Sequence, residues 1–465
     1  MLLEKTLVEK IISQSLSTGA DFAEVFIEDR ILSHIQMVGG HVEQATSNKS
    51  FGVGVRIALG TSSVYGYTNS KDPEKLLKLA SDLSKSFANP TMTAPVPLGE
   101  MEVGTHHKVR IHPRNVKQEE KVALMRQVNE GAKGYDPLIV QAAVNLLDWA
   151  QNVEIANSLG RYVGEERVRI RLYVNAIAAK DGMMQTGGEG PGTGKGYEYF
   201  FEEMDLRKLG AEAARIAKTM LLADECPSGV MPVILNNEFG GVIFHEACGH
   251  SLEATSVSKN ASVFCGKLGQ QIASPIVTAI DDGTIENGWG SANFDDEGNP
   301  QQRRVLIENG ILKTYMIDTI NGRRMNQAPT GSSRRESYKF APTSRMSNTF
   351  IDKGTSTFED LVKATDYGLF AAKLGGGSVN PGNGDFNFSV SEGYMIRHGK
   401  IAEPVRGASL VGNGADILFK IDMIADNLER ARGMCGSVSG SIPADVGQPS
   451  LRVSSITVGG KKGGE

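Results

Sequence analysis

Between Asp21 and Asn69 the chain runs almost without pause through segments that alternate polar with apolar or are apolar throughout: "DFAEVFIEDR", "LSHIQMVGG", "HVEQATSN", "FGVGVRIALG" and "SSVYGYTN". Period-two patterning sends successive side chains to opposite faces of a strand, and Gly or Asn between the segments supplies turns. This stretch predicts an antiparallel meander of five strands with one face to be covered. Cover stands on both sides of it. Leu3, Leu7, Val8, Ile11 and Ile12 recur at helical spacing, with Gly19 as a stop. Asp72 followed by Pro73 has the form of an N-cap with proline at the first helical position, and Leu76, Leu77, Ala80 and Leu83 then mark a buried face.

The rest of the chain extends this pattern. A helix is expected over about residues 117–132, a strand through "VRIRLYVNAIAA", and a helix over about 205–222. "TGGEGPGTGKG", residues 186–196, is glycine-dense enough to predict a mobile loop. A boundary near Cys226-Pro227 is expected. Beyond it, "GVMPVILN" reads as a strand, Asn236 or Asn237 as a cap, and a helix follows. Asn309-Gly310 and His398-Gly399 are hairpin signals. The expected fold class is α+β in two domains: residues 1–225 with the antiparallel meander, and residues 226–465, mostly antiparallel β with one important helix.

Composition narrows the function classes. At 465 residues with 40% hydrophobic content, the chain has ample material for sizeable cores. A net charge of -5, from 49 basic and 54 acidic residues interspersed, offers no single-sign block for nucleic acid or an anionic membrane. Glu4, Lys5, Glu9 and Lys10 interrupt the start, which therefore lacks the apolar run of a signal peptide, and no apolar stretch of about twenty residues exists. A cytoplasmic enzyme or binder is expected. The four cysteines, Cys226, Cys248, Cys265 and Cys435, are then buried or metal-bound rather than paired.

Several motifs fall away on inspection. "GEGPGTGKG" has Glu189 where a phosphate loop needs glycine, and Gly196 where it needs a hydroxyl. The glycines of "LGGGSVNPGNGDF", residues 374–386, allow close backbone approach, by neighbouring strands or by a bound extended chain. His106, His107 and His112 cluster in sequence, but no acidic or thiol pattern supports them, and they are expected to be surface loop histidines. His34 and His41 read as ordinary strand residues.

"FHEACGHSLE", residues 244–253, is different. His245 and His250 stand five apart, not the four of a zinc-protease helix. On a regular helix that offset rotates the two rings apart by roughly 140°. A π-type turn closes i to i+5, and Gly249 is placed to permit it or to end the helix so that His250 folds back. Two neutral imidazoles and a third ligand leave a coordination position open, the arrangement of a catalytic zinc centre, with Glu246 beside them as base. Cys248, Glu253, Cys226, Cys265 and Cys435 are all candidates for the third ligand, and spacing does not choose among them. Polar residues on an amphipathic helix are an equally compatible reading.

The chain as a whole resembles the TldD/PmbA metallopeptidases, specifically the TldD-like branch. The resemblance rests on "GADFAEVFIEDR", "FGVGVRIALG", "HEACGHSLE", "SRMSNTFI", "LGGGSVNPGNGDFNFSVSEGYMIRHGKIAEPVRGASLVGNG" and "MCGSVSGSIPADVGQPSLRV", in that order. It implies a two-domain protease with zinc on His245 and His250, Glu246 as the catalytic glutamate and Cys435 as third ligand. It leaves Cys248 at a variable position and Glu253 at a recurrent acidic one, while Ala254-Thr255 replaces the Gly-Asp common in the family. A thiolate in the shell implies a weaker Lewis acid than an all-histidine site. The resemblance also implies an extended or unfolded peptide as substrate in a narrow enclosed site, and a homodimer or a heterodimer with a TldE/PmbA-like subunit. The alternatives are a non-catalytic partner subunit, or a peptide-binding module with a structural metal.

Overall fold

A computed structural model describes residues 1–87, 96–101, 105–380 and 383–460. The meander is there with fewer and longer strands than expected. Phe22–Val38 and His41–Leu59 each run unbroken and pair antiparallel from Phe22↔Ala58 to Val38↔His41. No proline or glycine interrupts the chain at Arg30–Leu32, and residues 48–50, where a break is expected, continue the strand with solvent-facing side chains. Gly39 and Gly40, both at positive φ, make the connecting turn.

Ser62–Thr68, His41–Leu59, Phe22–Val38, Ile139–Asn157 and Arg161–Lys180 follow one another across the first sheet. Lys5–Leu16 and Pro73–Ser84 cover one end, burying Val8, Ile11, Ile12, Leu76 and Ala80 against Val25, Ile27, Val53 and Val55. The Asp72 carboxylate accepts the Glu74 N–H, as an N-cap should. Gln118–Lys133 and Leu206–Leu222 cover the other end.

The glycine-rich stretch expected to be mobile is sheet instead. Met183–Glu189 and Gly192–Thr193 pair with the Arg161–Lys180 strand. Its glycines serve packing: a Cβ on Gly187 would lie 2.2 Å from the Ala213 carbonyl of the covering helix. The later glycine run follows the neighbouring-strand reading. Tyr367–Val379 pairs with Asp385–Arg397, and a Cβ on Gly377 would meet Phe388 at 2.1 Å. Residues 381 and 382 of that run lie outside the described ones.

The carboxy-terminal half holds an eight-stranded and a six-stranded sheet. Asn309-Gly310 and His398-Gly399 sit at positive φ in the turns between paired strands, as expected. The six-stranded sheet ends in the hairpin Glu429–Ser437 and Gly440–Gln448, with Glu429–Ser437 outermost. Between the two sheets lies the largest apolar core, which encloses Phe244, Ala247, Cys248 and Leu252.

Buried charge ties the halves together. Arg56 places Nη2 2.6 Å from both Glu24 and Glu297, and Arg335 closes a second pair with Glu24. Removing one member of such a cluster leaves an uncompensated buried charge, at a cost of about 3–5 kcal/mol. Among the described residues, no helix is long and apolar enough to cross a membrane.

Candidate metal centre

The Gly229–Leu235 strand delivers the chain to the core between the sheets. Asn237 occupies the cap position but does not cap: its amide donates to Asn427, and that of Asn236 donates to Ala372. After Glu238–Gly241 and Val242–Phe244, residues His245–Gly249 wind as a π-helical turn, and the His250 N–H donates to the His245 carbonyl. This i to i+5 closure removes the angular offset of a regular helix. The two rings lie 5.1 Å apart between centroids, almost perpendicular at 84°.

Gly249 acts differently from the sequence expectation. Its φ of -56° is ordinary right-handed helix, so no special backbone freedom is used. Space is what it provides, because a Cβ there would lie 2.3 Å from the Met346 sulfur.

Cys435 arrives from the outermost strand of the six-stranded sheet, opposite Ile442. Its Sγ stands 3.2 Å from His245 Nε2 and 3.3 Å from His250 Nε2. The three ligand atoms all lie within 4.8 Å of one another, the one such group among the described residues. Burial pushes the Cys435 thiol up, but His245 and His250 outweigh it and bring it down to about 3. Burial acts downward on His250, yet Glu253, 3.2 Å from Nδ1, and Cys435 raise it well above its ordinary value. Glu246 is one-third exposed, with Oε2 3.7 Å from His250 Nε2.

The other candidates lie elsewhere. Cys248 is fully enclosed, donates to the Gly414 carbonyl, and has its thiol pushed up by burial. Cys226 and Cys265 donate to the carbonyls of Pro227 and Val257. His107 is half-buried rather than a surface residue: its Nε2 donates to the Ser291 carbonyl at 2.9 Å, and burial, then Arg169, lowers it well below its ordinary value. His112 accepts the Arg114 N–H, and His34 pairs with Asn145.

Three profiles of one family match in sequence: PmbA/TldA metallopeptidase domain 1 over residues 23–86, the central domain over 111–221 and the C-terminal domain over 228–460. The metalloprotease TldD homolog of Haemophilus influenzae is 35% identical over 449 residues, covering 95% of this chain and 93% of that one. This chain belongs to the PmbA/TldD family of metallopeptidases. A zinc metalloprotease TldD homolog of Saccharolobus solfataricus is 28% identical over 348 residues, 74% of this chain and 77% of that one. The fold is shared with TldE from Thermococcus kodakarensis (TM-score 0.76, 16% identity, 97% of this chain and 99% of that one). It is shared too with a Thermotoga maritima protein described as a candidate modulator of a DNA gyrase (TM-score 0.81, 22% identity, 98% and 100%).

The donor set fits a metal ion, as the family name implies. Two imidazole nitrogens and a thiolate are borderline-soft ligands of the kind zinc takes, and three protein ligands leave one position open. A ligating histidine ordinarily keeps its other nitrogen against a carboxylate or carbonyl, and Glu253 stands in that position for His250.

Arg345 escaped the sequence reading. It is fully buried and donates to the Cys435 carbonyl, to the Ser439 hydroxyl at 2.9 Å and to the Gly440 carbonyl at 3.0 Å, so it fixes the turn of the hairpin that presents the thiol. Its only trace in the sequence was a place in "SRMSNTFI".

Proposed function

We propose that the chain is a zinc-dependent peptidase for extended or unfolded peptides, holding the metal on His245, His250 and Cys435 and using Glu246 as general base. The observation that carries this reading is the convergence of two imidazoles and a thiolate at the π-helical turn. Zinc in such a shell supplies Lewis-acid activation of water and of the scissile carbonyl near neutral pH. Glu246, partly open to solvent beside His250, is placed to take a proton from the attacking water and to hand it to the leaving amine. Arg345 holds the Cys435 backbone, and Glu253 orients the His250 ring.

A sheet edge supports the reading of an extended substrate. Among the described residues, Glu429–Ser437 pairs only with Gly440–Gln448, so the strand that bears Cys435 has one side without a strand neighbour. An extended peptide added there is held by main-chain hydrogen bonds, which read little side-chain identity. The assembly that fits this reading is a homodimer or a heterodimer with a TldE/PmbA-like subunit.

Glu246→Gln provides the test. Zinc content by elemental analysis stays at the wild-type level, while cleavage of an unstructured peptide falls by about 10²–10⁴-fold. Unchanged cleavage eliminates Glu246 as the base, and absence of zinc from the purified wild type removes the metal reading itself.

A further inference from the structure

A cavity of about 130 Å³ lies between the first sheet and the carboxy-terminal half, and five arginines line it: Arg30, Arg167, Arg169, Arg334 and Arg335. Three carboxylates face them, and each is already engaged. Asp296 accepts from Arg167 at 2.7 Å and from the Arg335 N–H at 2.6 Å. Asp295 accepts the N–H groups of Glu297, Asn299 and Ser333, and Glu336 accepts that of Ser441. Arg167 also pairs with Glu165, and Arg335 with Glu24.

Three guanidinium groups remain without a carboxylate in contact among the described residues. Arg169 donates only to neutral groups, among them the carbonyls of Trp289 at 2.6 Å and Val168 at 2.8 Å. Arg334, 8% exposed, donates once, to the Met346 carbonyl at 2.7 Å. Arg30 lies over the Trp149 ring at 5.2 Å, with its Nε buried and unpartnered. Buried cations are ordinarily paired, because desolvation without compensation is expensive. The cavity is several times the roughly 10–15 Å³ that one water requires. Its mouth is reachable, since Met434 is exposed and Arg30, Glu336, Ser441 and Pro443 are half-buried.

We propose that this cavity is a binding site for a small oxyanion, a free inorganic phosphate or the terminal carboxylate of a peptide, held chiefly by Arg334 and Arg30. The site is distinct from the metal cluster. Met434 pairs with Pro443 in the hairpin and both line the cavity, whereas the next pair along, Cys435 and Ile442, must project to the opposite face. An anion seated there therefore braces, from behind, the hairpin that presents Cys435. Burial, with Arg334 and Arg167 alongside, lowers Arg169 to about 9 against the opposing pull of Glu165 and Asp445, and burial lowers Arg334 to about 10 against that of Asp296 and Asp281.

Inorganic phosphate titrated into the zinc-loaded full chain by calorimetry is expected to bind once per chain. Arg334→Met weakens that binding by about tenfold to a hundredfold, the scale of one charge-assisted hydrogen bond, and Arg30→Gln by about threefold. Absence of binding to the wild type at millimolar phosphate overturns the proposal. So does equal affinity in wild type and both variants, the result expected if phosphate sits on the metal. If Arg334→Met fails to fold by circular dichroism, Arg30→Gln carries the test, and unchanged affinity there is equally fatal. A competition arm names the source. An acetylated tripeptide acid that displaces phosphate while its amide does not identifies a peptide end; displacement by neither identifies the free anion. Either result supports an oxyanion site.

Discussion

Two histidine groups in this chain look alike in composition and behave oppositely. His106, His107 and His112 lie within seven residues of one another, and the fold disperses them. The His106 backbone takes Asn293, the His107 ring takes Ser291, and the His112 ring takes the Arg114 N–H beside Glu166. His245, His250 and Cys435 span 190 residues and are brought within 4.8 Å. Closeness along the chain carries little weight for ligation. What matters is whether backbone structure aims donor atoms at one point, and here a π-helical turn and a sheet hairpin do the aiming.

Replacing one member of each group should separate them most widely. Cys435→Ser is expected to weaken zinc binding by more than about a hundredfold, beyond what loss of an outer partner of a ligand achieves. His107→Gln and Cys248→Ser should retain wild-type zinc. Elemental analysis after dialysis against a chelator reads all three. Zinc lost from Cys248→Ser but not from Cys435→Ser would reverse the assignment of the third ligand.

A smaller effect sharpens the role of the turn. Gly249→Ala drives a methyl group toward the Met346 sulfur, 2.3 Å from the ideal Cβ position, and overpacking of this kind costs about 1–3 kcal/mol. Met346→Ala alone leaves a cavity worth about 2–5 kcal/mol. Together the two should cost less than their sum in urea unfolding, because each relieves the other's defect. Strict additivity would mean that Gly249 is needed for something other than room.

How much of this was legible depends on whether a feature is local. Period-two alternation marked the meander, Asp72-Pro73 marked a helix start, and Asn309-Gly310 marked a hairpin, since each is written in adjacent residues. The unbroken course through residues 48–50 was not legible, because a polar strand exposed to solvent looks like a turn, and at Arg30–Leu32 the side chains are half-buried on both faces, which blurs the alternation. The glycines at 186–196 misled for a related reason: Gly187 admits a helix backbone from elsewhere in the chain, and the sequence does not say which glycines are spared for a neighbour. The i to i+5 spacing pointed to a π-turn from the residues alone. Cys435 stood among five candidates and was singled out only through family resemblance, because nothing near residue 245 records which strand will pass it. Arg345 and Met346 were invisible for the same reason.

The gentlest test lies in the dispersed group and depends on pH. His107 is half-buried, and desolvation together with Arg169 lowers its ring well below the ordinary histidine value, which favours the neutral form. In the unfolded chain the same ring gains a proton below about pH 6.5. The unfolded state then binds more protons than the folded one, so stability falls as the solution is acidified, by up to about 1.4 kcal/mol per pH unit from this residue. His107→Gln removes that proton. Its deficit relative to wild type, measured by chemical unfolding, should therefore shrink between about pH 7 and pH 5, with zinc content unchanged at the upper end. A deficit that stays constant with pH would show that the His107 ring is not held neutral, and a loss of zinc would erase the contrast between the two groups.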